Sequence, residues 1–268
     1  MHGTGNDFVL LDARKQAVSL MKENVVRISD RHFGIGCDQL LVLKKSDKAD
    51  AFMQIFNADG SEISTCGNAT RCVADFLMRE TGKDTATIET GAGIRSGNRH
   101  ANGDVQVNMG APKFGWQEIP LSETRNTMHL GLEAGLLMDP AAVSLGNPHA
   151  IFFVRDVAHA KMAEWGPKLE HHPLFPERAN ISAVQVTGDS SIKMVVWERG
   201  TGLTLACGSA ACAAVVAGVR RGLISAKCDV ELPGGTLHVD WQKTANTEGG
   251  DVLMSGAVAY VFEGAISI

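Results

Sequence analysis

The sequence predicts an α/β protein, α+β in its detail, made of two pseudo-symmetric lobes in which short strands wrap around one helix each. Three observations carry that expectation. Short segments of alternating apolar and polar residues, bounded by Gly, Asn and Asp, dominate the chain. Two segments carry helical periodicity instead. The sequence also matches itself when shifted by 141 residues.

In the first half, residues 8–12, 39–43, 52–56 and 87–90 read as strands, and Asn102-Gly103 before Asp-Val-Gln-Val-Asn reads as a hairpin. In the second half the strands fall at 150–154, 182–186, 193–197 and 229–232, after which Pro233-Gly234-Gly235 turns the chain into 236–240. The first helix is marked by Ala69, Cys72, Val73, Phe76 and Leu77, an apolar stripe at i, i+3, i+4, i+7 and i+8, with Gly82 as its stop. The second runs from Cys207 to Val219 without a charge, so it should be buried on nearly every side. It closes at Arg220-Arg221-Gly222, cations and then Gly, as a helix C-terminus favours.

At the shift of 141, Gly5-Asn6 falls on Gly146-Asn147, Gln39 on Asn180, Asn57 on Glu198, Cys66-Gly67 on Cys207-Gly208 and Ala69 on Ala210. Two small-residue helices paired by chance would not hold one register through several polar positions. Each half therefore has one Cys at the start of its helix. The join falls in the weakly patterned stretch 112–126.

Composition limits the function. The 268 residues are 44% apolar, enough for a real core, and 29 Gly exclude a coiled coil. Lys plus Arg number 25 against 30 Asp plus Glu, with no basic block, so neither nucleic acid nor an anionic membrane is expected as a partner. Six Cys in this length do not make a disulfide scaffold. The near-apolar run 205–219 falls short of the ~18 residues a span needs. The expected setting is the cytoplasm, with reduced thiols.

The chemistry centres on Cys66-Gly67 and Cys207-Gly208. Free N–H groups and the positive end of a helix stabilise an anion, which lowers a thiol's pKa and can hold a carboxylate. One thiolate removing a proton from a carbon, with a thiol returning one to its opposite face, would invert that carbon. A Cys among Ala and Gly is ordinarily a small buried apolar residue, and Cys37, Cys72, Cys212 and Cys228 are read so. Two such residues at equivalent positions, followed by Gly67-Asn68 and Gly208-Ser209, argue for function. The spacings Cys66-x5-Cys72 and Cys207-x4-Cys212 do not suit a zinc site. Gly91, Gly93 and Gly97 miss the dinucleotide fingerprint.

His2-Gly-Thr-Gly-Asn-Asp-Phe8, Asn57-Ala-Asp-Gly-Ser61, Cys66-Gly-Asn68 with Arg71-Cys72, Gly146-Asn-Pro-His149, Glu198-Arg-Gly200 and Ala206-Cys-Gly-Ser209 closely resemble the diaminopimelate epimerase family, in family order from residue 2 to about 262. The resemblance implies an epimerase without pyridoxal or metal, interconverting LL- and meso-2,6-diaminoheptanedioate in lysine and peptidoglycan-precursor synthesis. It implies lobes that are barrel-like mixed sheets around a central helix, 1–115 with 258–268 crossing back and 116–257, and a homodimer.

By motif, Cys66 and Cys207 are then the acid/base pair, with His149 and Glu198 tuning the thiols or engaging the reacting ammonium. Gly67, Asn68, Gly208 and Ser209 would meet the carboxylate at the reacting carbon, and Asn6 would line the same cleft. Asn57, Asn147, Asn180 and Arg199 would grip the distal end, with Gln39 as a further amide. The chain departs from the family at Ala69 and Ala210, where Gly is common, and in starting directly at the His-Gly motif. The alternatives are a related cofactor-independent amino-acid racemase, whose first site usually reads Cys-Gly-His, and a non-catalytic two-lobed binding protein.

Overall fold

The computed structural model describes residues 1–16, 18–243 and 249–267; Ile268, the end of the expected returning segment, lies outside them. The chain forms two compact units, Met1–Asn108 with Ser255–Ile268, and Met109–Met254. Residues 109–113 are tied into the second unit: Met109 N–H donates to the Val252 carbonyl at 2.8 Å, and Lys113 and Ser144 form a two-way bridge.

The first unit contains β1 (His2–Gly3), β2 (Asn6–Asp12), α1 (Lys22–Ser29), β3 (Gln39–Lys44), β4 (Ala51–Asn57), β5 (Glu62–Ile63), α2 (Gly67–Thr81), β6 (Thr85–Thr90), β7 (Gly93–Arg99) and β8 (Val105–Asn108). Its strands run in the order β1-β2-β3-β4-β6-β7-β8, with β5 on β4. The pairs β2·β3 and β4·β6 are parallel and the others antiparallel. After Ser255 the chain returns to β1, where His2 and Ala259 exchange hydrogen bonds of 2.9 Å.

Both faces of this sheet are covered, which explains why β3 is nearly all apolar. Leu41 and Leu43 face the cluster around α2, while Leu40 and Val42 alternate toward Val25 and Ile28 of α1. Every residue of α2 from Asn68 to Asp75 is buried, so the helix is more enclosed than its apolar stripe suggests. The buried Asp75 carboxylate holds Arg99 at 2.7 Å and Arg79 at 2.8 Å. Gly82 ends α2 at φ 70°, as its place after the stripe predicts.

The second unit contains β9 (Glu133–Ala134), β10 (Leu137–Met138), β11 (Ala141–Ser144), β12 (Pro148–Phe153), α3 (Met162–Glu170), β13 (Asn180–Gly188), β14 (Ser191–Glu198), β15 (Gly202–Leu203), α4 (Gly208–Arg220), β16 (Lys227–Leu232), β17 (Gly235–Trp241) and the start of β18 (Val252–Gly256). Its main sheet orders β17-β16-β14-β13-β12-β11, with β15 on β14. From Ala210 to Gly218 every residue of α4 is buried, as its lack of charge predicts. Ala150, Phe152, Ile181 and Ala183 face the opposite way, into a cluster with Met162 and Leu169 of α3.

The repeat read from the sequence is a repeat of backbone pairing. Phe8 pairs with Gln39 and Leu40 with Phe56; 141 residues on, His149 pairs with Asn180 and Ile181 with Trp197, with the same parallel and antiparallel senses. Even the short β5 and β15 keep the offset, Phe56 on Glu62 against Trp197 on Leu203.

Strand β7 shows little alternation, and its fit depends on an absent side chain. A Cβ at Gly97 would lie 2.3 Å from the Ala74 Cβ of α2. Gly97→Ala is expected to lower stability by about 1–3 kcal/mol through overpacking, read as an earlier urea midpoint.

Candidate active site

In the first unit, Cys66 is the N-cap of α2 at φ −150°, ψ 120°, and Gly67 is its first residue. The Cys66 carbonyl accepts from both the N–H and the hydroxyl of Thr70, each at 2.9 Å, which fixes the helix start without using the sulfur. The half-buried Cys66 Sγ sits 3.9 Å from Asn6 Oδ1. Asn6 is delivered by the β1–β2 turn, in which Thr4 and Gly5 hold φ of 56° and 84°. Asn68 Nδ2 donates to the same Asn6 oxygen at 3.2 Å, and Asn6 Nδ2 donates to Asp38 Oδ2 at 2.9 Å. Asn6, Cys66, Gly67 and Asn68 therefore form one group.

Gln39 and Asn57 form a second group, opposite each other on β3 and β4. Gln39 Nε2 donates to Asn57 Oδ1 at 3.1 Å, and Asn57 Nδ2 donates to Ser61 Oγ at 3.1 Å. This leaves Gln39 Oε1 buried with no partner among the described residues.

In the second unit, Cys207 is the N-cap of α4 at φ −130°, ψ 113°, with Gly208 next. Its sulfur lies 3.5 Å from Ser209 Oγ, and Asn147 Nδ2 donates to that hydroxyl at 3.2 Å. With its nitrogen so engaged, Asn147 turns Oδ1 to His149 Nε2 at 2.9 Å. The imidazole Nε2–H must then be the donor, leaving Nδ1 as a bare acceptor. His149 is fully buried, and that Nδ1 has no partner among the described residues. Burial, aided by the charge of Arg199, drives its pKa down to about 3, so the ring is neutral at pH 7.

Asn180 acts on the backbone: Nδ2 donates to the Pro148 carbonyl at 3.0 Å, and Oδ1 accepts the Arg199 N–H at 3.0 Å. The Arg199 guanidinium donates to the Glu177 carbonyl at 3.1 Å. Glu198 accepts the Thr204 hydroxyl at 2.5 Å and acts on Cys207. Burial first, and the Glu198 carboxylate second, push the Cys207 pKa well up. The Ser209 hydroxyl and Ala210 N–H pull the other way and lose. Against the expectation that a helix start lowers the thiol pKa, Cys207 is held here as a thiol.

Four residues that sequence reasoning left out support the site. Asp38 closes the Asn6 group, and Thr204 holds Glu198. Glu170, buried on α3, accepts from Trp197 Nε1 at 2.7 Å and from Gly200 N–H at 2.8 Å, anchoring the turn that carries Glu198 and Arg199. Its place after Gly166-Pro167 gives no sequence signal. Arg71 did have one, its place in the Cys66-Gly-Asn68 motif: it lies fully buried, with Nη2 on Asn68 Oδ1 at 2.8 Å.

The family model described as diaminopimelate epimerase matches residues 1–115 and 141–261. A diaminopimelate epimerase of Acidiphilium cryptum is 52% identical over 264 residues, covering 98% of this chain and 94% of that protein. One of Rhodospirillum centenum is 46% identical over 269 residues, covering 100% and 91%. Among solved structures, a phenazine biosynthesis protein of the PhzF family from Bacillus anthracis superposes with TM-score 0.71 at 22% identity, covering 100% of this chain and 95% of its own. A hydroxyproline epimerase from Agrobacterium vitis does so with TM-score 0.60 at 15% identity, covering 87% and 76%. These two likenesses show the shared two-lobe fold, while the family match and the near-full-length relatives show the family. The chain belongs to the diaminopimelate epimerase family.

Proposed function

We propose that this chain interconverts LL- and meso-2,6-diaminoheptanedioate by moving one α-proton between the substrate and two cysteines, Cys66 and Cys207, without pyridoxal or a metal. The observation that supports it most is the repeated N-cap geometry. In each unit a cysteine opens a buried helix in the same backbone register, next to a polar side chain two residues on that is bonded to an Asn from the adjoining strand turn.

In this reading one sulfur, as thiolate, takes the α-proton, and the electron pair stays on carbon, spread into the adjacent carboxylate. The other sulfur, as thiol, delivers its proton to the opposite face and becomes the thiolate. No net proton is gained, and the reverse reaction exchanges the roles. The N–H groups at Gly67-Asn68 and Gly208-Ser209 hold the reacting carboxylate.

Two site acceptors without a partner among the described residues, Gln39 Oε1 and His149 Nδ1, suit the N–H donors of a substrate with two ammonium groups. For the neutral His149 this favours engaging the ammonium over proton transfer. Glu198 keeps Cys207 protonated until it is needed. Asn57, Asn147, Asn180 and Arg199 complete the distal grip, so substrates lacking the distal groups are rejected. The two units serve as the two lobes. From the family resemblance we also take the enzyme to act as a homodimer in the cytoplasm, in lysine and peptidoglycan-precursor synthesis. No described helix is long and apolar enough to cross a membrane.

Incubation of the reduced protein with LL-diaminopimelate in D₂O, followed by NMR and chiral analysis, should show deuterium entering the α-position together with the meso isomer. Cys66→Ala and Cys207→Ala should each lower epimerisation by at least about a thousandfold. Full turnover in either variant sinks the two-base mechanism. Absence of exchange in parent protein with free thiols sinks the substrate assignment.

A pH prediction follows from His149. Neutral in the folded state, it takes a proton near its ordinary 6.5 when unfolded, so its contribution to stability is complete above that value and is lost as pH falls toward about 3. Phe8 occupies the equivalent register position in the first unit. His149→Phe should therefore fold, lose activity, and show a shallower fall of the urea midpoint between pH 7 and 4. A slope as steep as the parent's would assign the acid loss to other groups.

A further inference from the structure

Arg71 is a fully buried cation in the first turns of α2, at the position equivalent to Cys212 of α4. One guanidinium nitrogen, Nη2, serves two acceptors: Asn68 Oδ1 at 2.8 Å and Thr4 Oγ1 at 3.1 Å. The fold makes room for it. A Cβ at Gly3 would lie 3.0 Å from that nitrogen, and Thr4 accepts a left-handed φ of 56° to bring its hydroxyl there.

An amide is ambiguous end for end until something fixes it, and Arg71 fixes Asn68. With Oδ1 taken by a donor that cannot accept, Asn68 must offer Nδ2 onward, and it does so to Asn6 Oδ1 at 3.2 Å. The far end is fixed as well. Asp38 can only accept, so it takes Asn6 Nδ2 at 2.9 Å, and Arg31 holds Asp38 at 2.8 Å. The result is a one-way chain, from Arg71 to Asn68 to Asn6 to Asp38. It leaves the Asn6 carbonyl oxygen, and not its NH₂, toward Cys66 Sγ at 3.9 Å.

We propose that Arg71 and Asp38 are positioning residues which, from opposite ends of this chain, lock the Asn68 and Asn6 amides and so present an acceptor oxygen to the Cys66 thiol. This rests on Cys66 acting as an acid/base residue. The acceptor holds Cys66 as an S–H donor until substrate arrives. With the NH₂ turned toward the sulfur instead, the thiolate would be favoured. Cys72 of α2 couples to this thiol, Asp75 and the amino terminus act on Cys72, and Asp7 and Arg31 stand at the Asp38 end. The substitutions below leave all of these in place.

Each end alone still orients part of the chain, which makes the proposal testable as a double-mutant cycle. Arg71→Met cuts one end within the core, and Asp38→Ala cuts the other at the surface. Each alone is expected to lower kcat about threefold to tenfold, and the pair by more than the product of the two. In the pair, the Cys66 thiol titration, followed by iodoacetamide labelling at that residue against pH, should move down by about one unit, raising the thiolate fraction about tenfold at pH 7. Arg71→Lys, which keeps a charged donor, should restore most of kcat and remove the excess.

Effects on kcat that simply multiply, or a Cys66 titration unmoved in the pair, overturn the relay. Should Arg71→Met not fold, Asn68→Ala breaks the same link from its other side. The Cys66 titration in Asn68→Ala/Asp38→Ala, read against that in Asp38→Ala alone, which accounts for the lost negative charge, then decides: a further downward shift supports the relay and none overturns it. Cys66→Ala runs beside the cycle. If it retains turnover, the two-base reading fails; if it is inactive while the cycle is multiplicative, only the relay fails.

Discussion

Two helices buried along most of their length each begin at a cysteine, and that arrangement organises both units. In α2 and α4 the cap position is a cysteine, whose sulfur is a weak acceptor, so the N–H groups at the helix start are less fully claimed than under an oxygen cap. A Ser or Asp there would satisfy them and stabilise the helix by about 1 kcal/mol. Both units forgo that at the same register position. The strands hold the helix start in place instead, through a buried core that includes Leu41, Leu43, Met53 and Ile55 around α2.

The two units repeat the backbone and vary the electrostatics laid on it. Where the first has Phe8, Asn57, Asn68 and Arg71, the second has His149, Glu198, Ser209 and Cys212. The first thus surrounds its thiol with amides anchored by a buried cation. The second sets a hydroxyl and an anion beside its thiol, with a neutral imidazole linked to that hydroxyl through Asn147. Equivalent thiols on an unchanged pattern would titrate together. Here side chains that leave the pairing register untouched give the two thiols different surroundings.

Much of this architecture was legible because it rests on local pattern. Alternation found most of the longer strands, the charge-free run found α4, and the 141-residue offset aligned Gln39 with Asn180 and Asn57 with Glu198, pairs that do share register. What escaped lacks a local signature. Strand β7 has Gly97 where alternation would put a side chain, because α2 approaches too closely. Helix α3 contains Gly166 and Pro167, residue types that disfavour a helix interior; a Cβ at Gly166 would lie 2.6 Å from the Trp197 ring. At the site, the cysteines and their Asn neighbours were readable from the repeat. Asp38, Thr204 and Glu170 were not, since each matters through one tertiary hydrogen bond or two.

The same distinction explains why the thiol environment could not be read from the helix start alone. A helix N-terminus offers partial positive charge worth a fraction of a kcal/mol up to about 2 kcal/mol, and the benefit shrinks when it is shared with other acceptors. Burial of a thiolate works against it, and Cys207 lies in a fully packed site beside Glu198. Desolvation wins there, and the sulfur stays protonated. Under the proposed function the helix end keeps its use, because a substrate carboxylate would bring a whole negative charge to the same N–H groups. A thiol held protonated by burial and a helix end that favours an anion are thus compatible in one proposed site.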